Sequence, residues 1–151
     1  MCYTAGMSIL EPLHPRFVHF PVALLITGSA LALVYLLGWR RPALPVTAWI
    51  MLLLGWLSVF PAVISGLVDR NAAPDDPAVL AALNPHIAAG FGLLIVYGLL
   101  LYERLRNPAV LDQPQRRWWM IGLLLLGLAL LAVEGWLGGK LVYELGVGVQ
   151  G

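Results

Sequence analysis

Three histidines lie in short strings that combine imidazole, proline and apolar residues. His14 and His19 belong to Leu-His-Pro-Arg-Phe-Val-His-Phe-Pro, and His86 belongs to Asn-Pro-His-Ile-Ala-Ala-Gly. Imidazole nitrogens ligate haem iron and other metals, and they exchange protons near neutral pH. Ionisable side chains inside apolar segments are rare and mark functional sites. The histidines therefore predict a haem site, a metal site or a proton-handling site, if the fold brings them together.

The composition places the chain in a membrane. Of its 151 residues, 60% are hydrophobic and only 11% are charged, and the mean hydropathy is +0.85. Soluble domains carry about 25% charged residues, so this chain needs the lipid bilayer as its solvent. A net charge of +1, with no basic run interleaved with aromatics, excludes a nucleic-acid-binding protein.

Four apolar stretches are long enough to cross a bilayer, which takes about 20 residues. They cover residues 17–39, 45–68, 85–105 and 118–137. Asn84 as N-cap and Pro85 as the first helical residue predict the start of the third helix. Short loops make neighbouring spans antiparallel. The sequence thus predicts an all-α, integral membrane, up-down-up-down four-helix bundle as a single domain over residues 1–151.

The distribution of basic residues predicts the orientation. The first and third loops carry six arginines, whereas the opposite side carries three basic residues. Loops rich in arginine stay in the cytoplasm. Both termini are therefore predicted on the outer, periplasmic side of a bacterial inner (plasma) membrane. The six arginines are Arg40, Arg41, Arg104, Arg106, Arg116 and Arg117.

The predicted topology collects the chemically unusual residues at the outer ends of the helices. The inner ends carry arginines and tryptophans, which topology and interface anchoring explain. A site at the outer face is therefore expected. Its candidate residues are His14, Arg16, His19, Asp69, His86, Gly90, Glu134 and Glu144.

His19 and His86 form the favoured ligand pair. Each lies near the predicted start of its span, so the two are expected at similar depth. The first and third spans of such a bundle are commonly diagonal, which leaves room for a flat macrocycle between two inward imidazoles. That is the arrangement of bis-histidine haem b. Gly90 follows His86 by one turn and would let a bulky ring approach the helix.

His14 is assigned a supporting role. It precedes His19 by five residues, so the two would not share a helix face. Pro15 marks the predicted helix entry and places His14 in the outer loop layer. There it would support the haem propionates, together with Arg16, or act as a solvent-side ligand.

Two alternatives to haem stay open. Glu134 lies inside an apolar run, with Arg16, His19, His86 or Lys140 as its expected partner. Together with Asp69 and Glu144, this suggests a divalent-metal site, such as one for zinc, or a proton-coupled protein. The second alternative is a cofactor-free accessory subunit of a larger membrane complex or a homo-oligomer. In that case Glu134 forms a structural salt bridge, and Asp69 pairs with Arg70 at the helix end.

The motifs of common enzyme classes are absent from the sequence. It contains no Gly-rich phosphate loop, no Gly-x-Ser-x-Gly, no His-Glu-x-x-His and no Cys-x-x-Cys-His. An electron carrier or accessory subunit is therefore favoured over a stand-alone enzyme.

Three strings, at residues 14–21, 65–69 and 139–149, resemble a bacterial membrane-protein family known as domain of unknown function 2231. The resemblance covers nearly the whole chain. That family looks like a distant relative of four-helix haem b membrane cytochromes, which implies haem b binding and single-electron transfer with a quinone or a redox partner protein. It favours His19 and His86 as ligands, with His14 as a further candidate. The family often has a histidine where this chain has Leu145, which argues for one cofactor at most.

Overall fold

Four long helices make up most of the computed structural model, which describes residues 14–73 and 75–147. All four are long and apolar enough to cross a membrane, and the described ranges contain no β-strand. The predicted all-α membrane bundle is therefore confirmed. The helices are α1 (His14–Leu36), α2 (Ala43–Asp69), α3 (Pro77–Arg106) and α4 (Arg117–Tyr143), and short 3-10 turns cover Arg70–Ala72, Val110–Asp112 and Pro114–Arg116.

The helices pack as a ring in which each contacts two neighbours. α1 packs on α2 and α4, and α3 packs on α2 and α4, so α1 and α3 lie on one diagonal. α1 begins and α4 ends at the same end of the bundle, which we call the outer end after the predicted orientation. Exposed side chains on the helices are largely apolar, as lipid contact requires. Examples are Ile50, Ile64, Ile95 and Leu126.

α3 begins about two turns earlier than the sequence predicts. Asp76 is its N-cap and accepts the backbone N–H groups of Ala78 and Val79, and Pro77 is the first helical residue. A carboxylate cap satisfies donors that would otherwise be unpaired. The predicted start at Asn84 and Pro85 is therefore wrong. The helix passes through Pro85, which lies on its exposed surface.

α1 also begins earlier than predicted, at His14. The His14 backbone N–H donates to Asp69 Oδ2 over 2.9 Å, so the end of α2 caps the start of α1. Pro15 fits the first turn, where its missing N–H is not needed. The expectation that His14 lies in the outer loop layer is therefore wrong. At the other end, Gly38 has φ +127° and lets the chain leave the helix.

A buried hydrogen bond joins the two diagonal helices near their centres. Ser29 Oγ on α1 and Tyr97 Oη on α3 are 3.0 Å apart, and both side chains are fully buried. Gly127 on α4 makes room for the tyrosine, since a Cβ there would lie 2.7 Å from Tyr97 Cζ. Paired buried polar groups favour one helix arrangement over others. This contact therefore fixes the spacing of α1 and α3 below the outer end.

Candidate functional site

His14 is anchored to α2 through one ring nitrogen. Its Nδ1 lies 2.8 Å from the carbonyl oxygen of Ala62, and Ser65 Oγ donates to the same carbonyl over 2.9 Å. A carbonyl oxygen only accepts, so Nδ1 carries the hydrogen and donates. The other ring nitrogen, Nε2, then has a lone pair in the neutral imidazole.

His86 is held in the same way by a residue of α4. Its Nδ1 lies 2.7 Å from Glu134 Oε2, in an ion-pair contact between side chains that are 13% and 17% exposed. Both atoms are buried, and neither makes a hydrogen bond to any described residue, so the contact is a short ion pair without hydrogen-bond alignment. A neutral His86 with its hydrogen on Nδ1 has a lone pair on Nε2, whereas the other tautomer has the hydrogen on Nε2.

The two Nε2 atoms point at each other along a line. They are 3.5 Å apart, and the ring centroids are 5.7 Å apart with planes inclined at 87°. The centroid distance exceeds the Nε2 distance by 2.2 Å (5.7 minus 3.5). That excess is the sum of the two distances from ring centre to ring nitrogen, so both nitrogens lie on the line between the ring centres.

If both neutral rings carry their hydrogen on Nδ1, two lone pairs face each other across this distance, which is unfavourable for partly buried acceptors. A hydrogen on one of the two Nε2 atoms or a metal ion between them removes the conflict. Histidines that bind metals almost always donate their other N–H to a carboxylate or a backbone carbonyl. Glu134 and the carbonyl of Ala62 supply one of each.

Each side chain of the site lies over a glycine of a neighbouring helix. A Cβ on Gly66 would lie 3.0 Å from His14 Nδ1, and one on Gly138 would lie 3.4 Å from His86 Cε1. A Cβ on Gly90 would lie 3.1 Å from Glu134 Oε1. The sequence predicts that Gly90 admits a macrocycle, whereas in this structure it admits Glu134. The three glycines therefore position the His14, His86 and Glu134 side chains.

His19 lies apart from this group. It is exposed on α1, and His86 contacts His14 instead. The prediction that His14 and His19 do not share a face is confirmed. His19 and His86 were expected at the same depth because the third helix was predicted to start at Pro85. Because α3 starts at Pro77, His86 lies further along its helix and lies beside His14. The assignment of His19 as an iron ligand stays a prediction.

The remaining candidates lie around the pair or away from it. Asp69 binds the backbone N–H of His14 rather than an imidazole. Arg16 is exposed in the first turn of α1, and Glu144 is exposed at the C-cap of α4. Leu145 packs against an apolar cluster between the outer ends of α3 and α4. Glu134 contacts His86, which is one of its predicted partners.

The direct contact between His14 and His86 is not predicted from the sequence. The signal for it was the string Asp75-Asp76-Pro77, in which an acidic N-cap precedes a first-turn proline. A helix that starts there carries His86 to the position opposite the start of α1. Among the described residues, no group of three or more His, Cys, Asp or Glu side chains could hold a metal ion. The tetrahedral zinc site therefore has only a partial ligand set in the described part of the chain.

Residues 10–151 match the model of a family described as a predicted membrane protein, DUF2231. The chain belongs to this family. The match spans all four helices and every residue of the His14–His86–Glu134 site. No curated protein and no solved structure is detectably similar to the chain. DUF2231 membership establishes a multi-pass membrane protein, and the chemistry of the site has to be argued from its own residues.

Proposed function

We propose that this DUF2231 protein is a small membrane cytochrome that holds one haem b between His14 and His86. The observation that carries the proposal is the collinear pair of Nε2 atoms on the diagonal helices α1 and α3. A haem at this site would be held by His14 on α1 and His86 on α3, so that His14 rather than His19 would supply the imidazole of α1.

His14 and His86 would supply two imidazole nitrogens to a haem iron. Metal–imidazole bonds of about 2.0 Å, the length known for zinc, need about 4 Å between two opposed nitrogens. The observed distance is 3.5 Å, so the rings have to separate by about half an ångström. Opposed imidazoles can ligate with their planes at any angle to each other, so the inclination of 87° is compatible with this role.

The protein residues have distinct parts in the proposal. A bound haem would supply one-electron chemistry at the outer end of the bundle. The Glu134 carboxylate, 2.7 Å from His86 Nδ1, would make that imidazole more electron-rich, whereas Ala62 gives His14 only a neutral acceptor. Asp69 fixes the start of α1 and with it the position of His14. The chain would exchange single electrons with a quinone or a redox partner protein.

The test is a haem assay on the full chain, purified after expression with ample haem. The proposal expects about one haem b per chain by pyridine haemochrome analysis. Elemental analysis of the same sample should find iron in equal amount and no stoichiometric zinc. A colourless protein without iron would overturn the proposal.

The second candidate function is proton handling by the imidazole pair. The Nε2 atoms are 3.5 Å apart, so a small approach of the rings would let them share one proton, and the Glu134 carboxylate can balance the resulting positive charge. The chain would then be a proton-coupled membrane protein without a cofactor. A colourless, folded protein with one shared proton between the rings, detected by ¹⁵N NMR of labelled histidine, would favour this function over haem binding.

A further inference from the structure

An apolar groove of about 350 Å³ opens between α2 and α3 in the inner half of the bundle. Trp49 and Leu101 lie buried at its base, and Tyr102 and Leu105 form its exposed edge. Within the described part of the chain, Arg104 is the one charged residue that lines it. The groove faces the surface that the bilayer covers, so its occupant has to come from the membrane.

A hydrogen bond closes the outer side of the groove. Trp56 Nε1 on α2 donates to the carbonyl oxygen of Leu94 on α3 over 2.9 Å. Gly98 lies one turn after Leu94 on α3. The absence of a side chain there leaves room for the Trp56 indole, because a Cβ on Gly98 would lie 3.4 Å from Trp56 Nε1. The groove therefore runs from this contact towards the inner end of α3.

Two guanidinium groups lie at the inner end of the groove. The Arg104 guanidinium is 5.7 Å from the centroid of the Trp49 ring, and the Arg106 guanidinium is 5.8 Å from that of Tyr102. Both aromatic rings line the groove. Arg104 also donates to the carbonyl of Pro108. Its planar fork has five donors, which suits a phosphate oxygen as a further acceptor.

We infer that this groove binds one glycerophospholipid with an anionic headgroup. An acyl chain lies against the apolar walls, and the phosphate lies between Arg104 and Arg106. α3 ends at Arg106, so the arginines lie at the depth where a headgroup meets the hydrocarbon. Basic pockets between membrane helices on the arginine-rich side bind anionic headgroups. The inference is independent of the haem proposal, because the groove and the histidine pair lie at opposite ends of the bundle.

The test is native mass spectrometry of the full chain released from nanodiscs of equal phosphatidylglycerol and phosphatidylcholine. One phosphatidylglycerol should remain bound in preference to phosphatidylcholine. Arg104→Gln should lower that preference about fivefold, the usual contribution of one basic residue near an anionic surface. Gly98→Leu should displace the lipid, because Gly98 lines the groove and a larger side chain there would occupy part of its volume.

The matched control is Arg41→Gln, an exposed arginine at the same end of the bundle, which should retain the lipid. Equal retention of both lipids by the parent chain would overturn the inference, as would an equal loss in Arg41→Gln. Displacement of the adduct by inorganic phosphate alone would also overturn it, since the acyl chain would then contribute nothing. Loss in Arg104→Gln alone, with a folded Gly98→Leu variant still binding, would contradict the acyl-chain placement.

Discussion

The Nε2 atoms of His14 and His86 oppose each other at 3.5 Å across the diagonal of the bundle. His14 Nδ1 hydrogen-bonds the carbonyl oxygen of Ala62 on α2, and His86 Nδ1 lies 2.7 Å from Glu134 Oε2 on α4. α2 and α4 therefore orient the imidazoles that α1 and α3 supply.

The carboxylate of Glu134 should tune the proposed haem. In Glu134→Gln the His86 ring loses its anionic acceptor and becomes a poorer electron donor, so the reduction potential should rise by about 60 mV, a tenfold change in a one-electron equilibrium. A spectroelectrochemical titration measures it. Glu144→Gln removes an exposed carboxylate of the same end and should leave the potential unchanged. An equal shift in both variants would contradict a specific role for Glu134.

Gly66 should be required for the position of His14. The Cβ of Gly66→Ala would lie 3.0 Å from His14 Nδ1, which would push the ring off the line to His86 and lower haem occupancy severalfold. Gly135→Ala is the matched control, because no atom lies within 4 Å of its Cβ. Alanine there should keep the haem and gain up to about 1 kcal/mol of stability from helix propensity. Equal occupancy in both variants would argue against the contact.

The Ser29–Tyr97 contact should stabilise the centre of the bundle. Tyr97→Phe leaves the Ser29 hydroxyl without its buried partner and should cost about 1 kcal/mol of unfolding free energy. Gly127→Ala should cost about 1–3 kcal/mol, since its Cβ would lie 2.7 Å from Tyr97 Cζ. Unfolding by denaturant in detergent measures both. Gly122→Ala, with open space at its Cβ, should cost nothing, and a similar loss there would refute the packing argument.

The N-cap of α3 should be Asp76. Asp76→Ala removes the acceptor for two backbone N–H groups and should cost about 1 kcal/mol. Asn84→Ala should have little effect, because Asn84 is an exposed residue inside the helix. Amide hydrogen exchange of residues 78–84 should be slow in the parent chain and faster in Asp76→Ala. A larger stability loss in Asn84→Ala than in Asp76→Ala would instead support a helix start at Asn84 and Pro85.

Hydropathy and loop length suffice to predict the four helices, because lipid demands long apolar segments with satisfied backbones. They do not suffice for the helix ends at the site. Capping decides those ends, and Asp76 and Asp69 cap α3 and α1 earlier than the apolar pattern alone indicates. The sequence analysis included all three members of the His14–His86–Glu134 group among its candidates. It paired His86 with His19, because a shift in one helix start changes which residues lie at the same depth.

The optical spectrum of the purified full-length chain and its three single histidine variants distinguishes the proposed His14–His86 haem site from the other possibilities. The parent chain should show a Soret band and sharp α-bands on reduction. These should be retained in His19→Ala and lost or shifted to a high-spin form in both His14→Ala and His86→Ala. A spectrum lost in His19→Ala but retained in His14→Ala would contradict the His14–His86 pair, and the absence of any haem band in the parent chain would contradict the cytochrome itself.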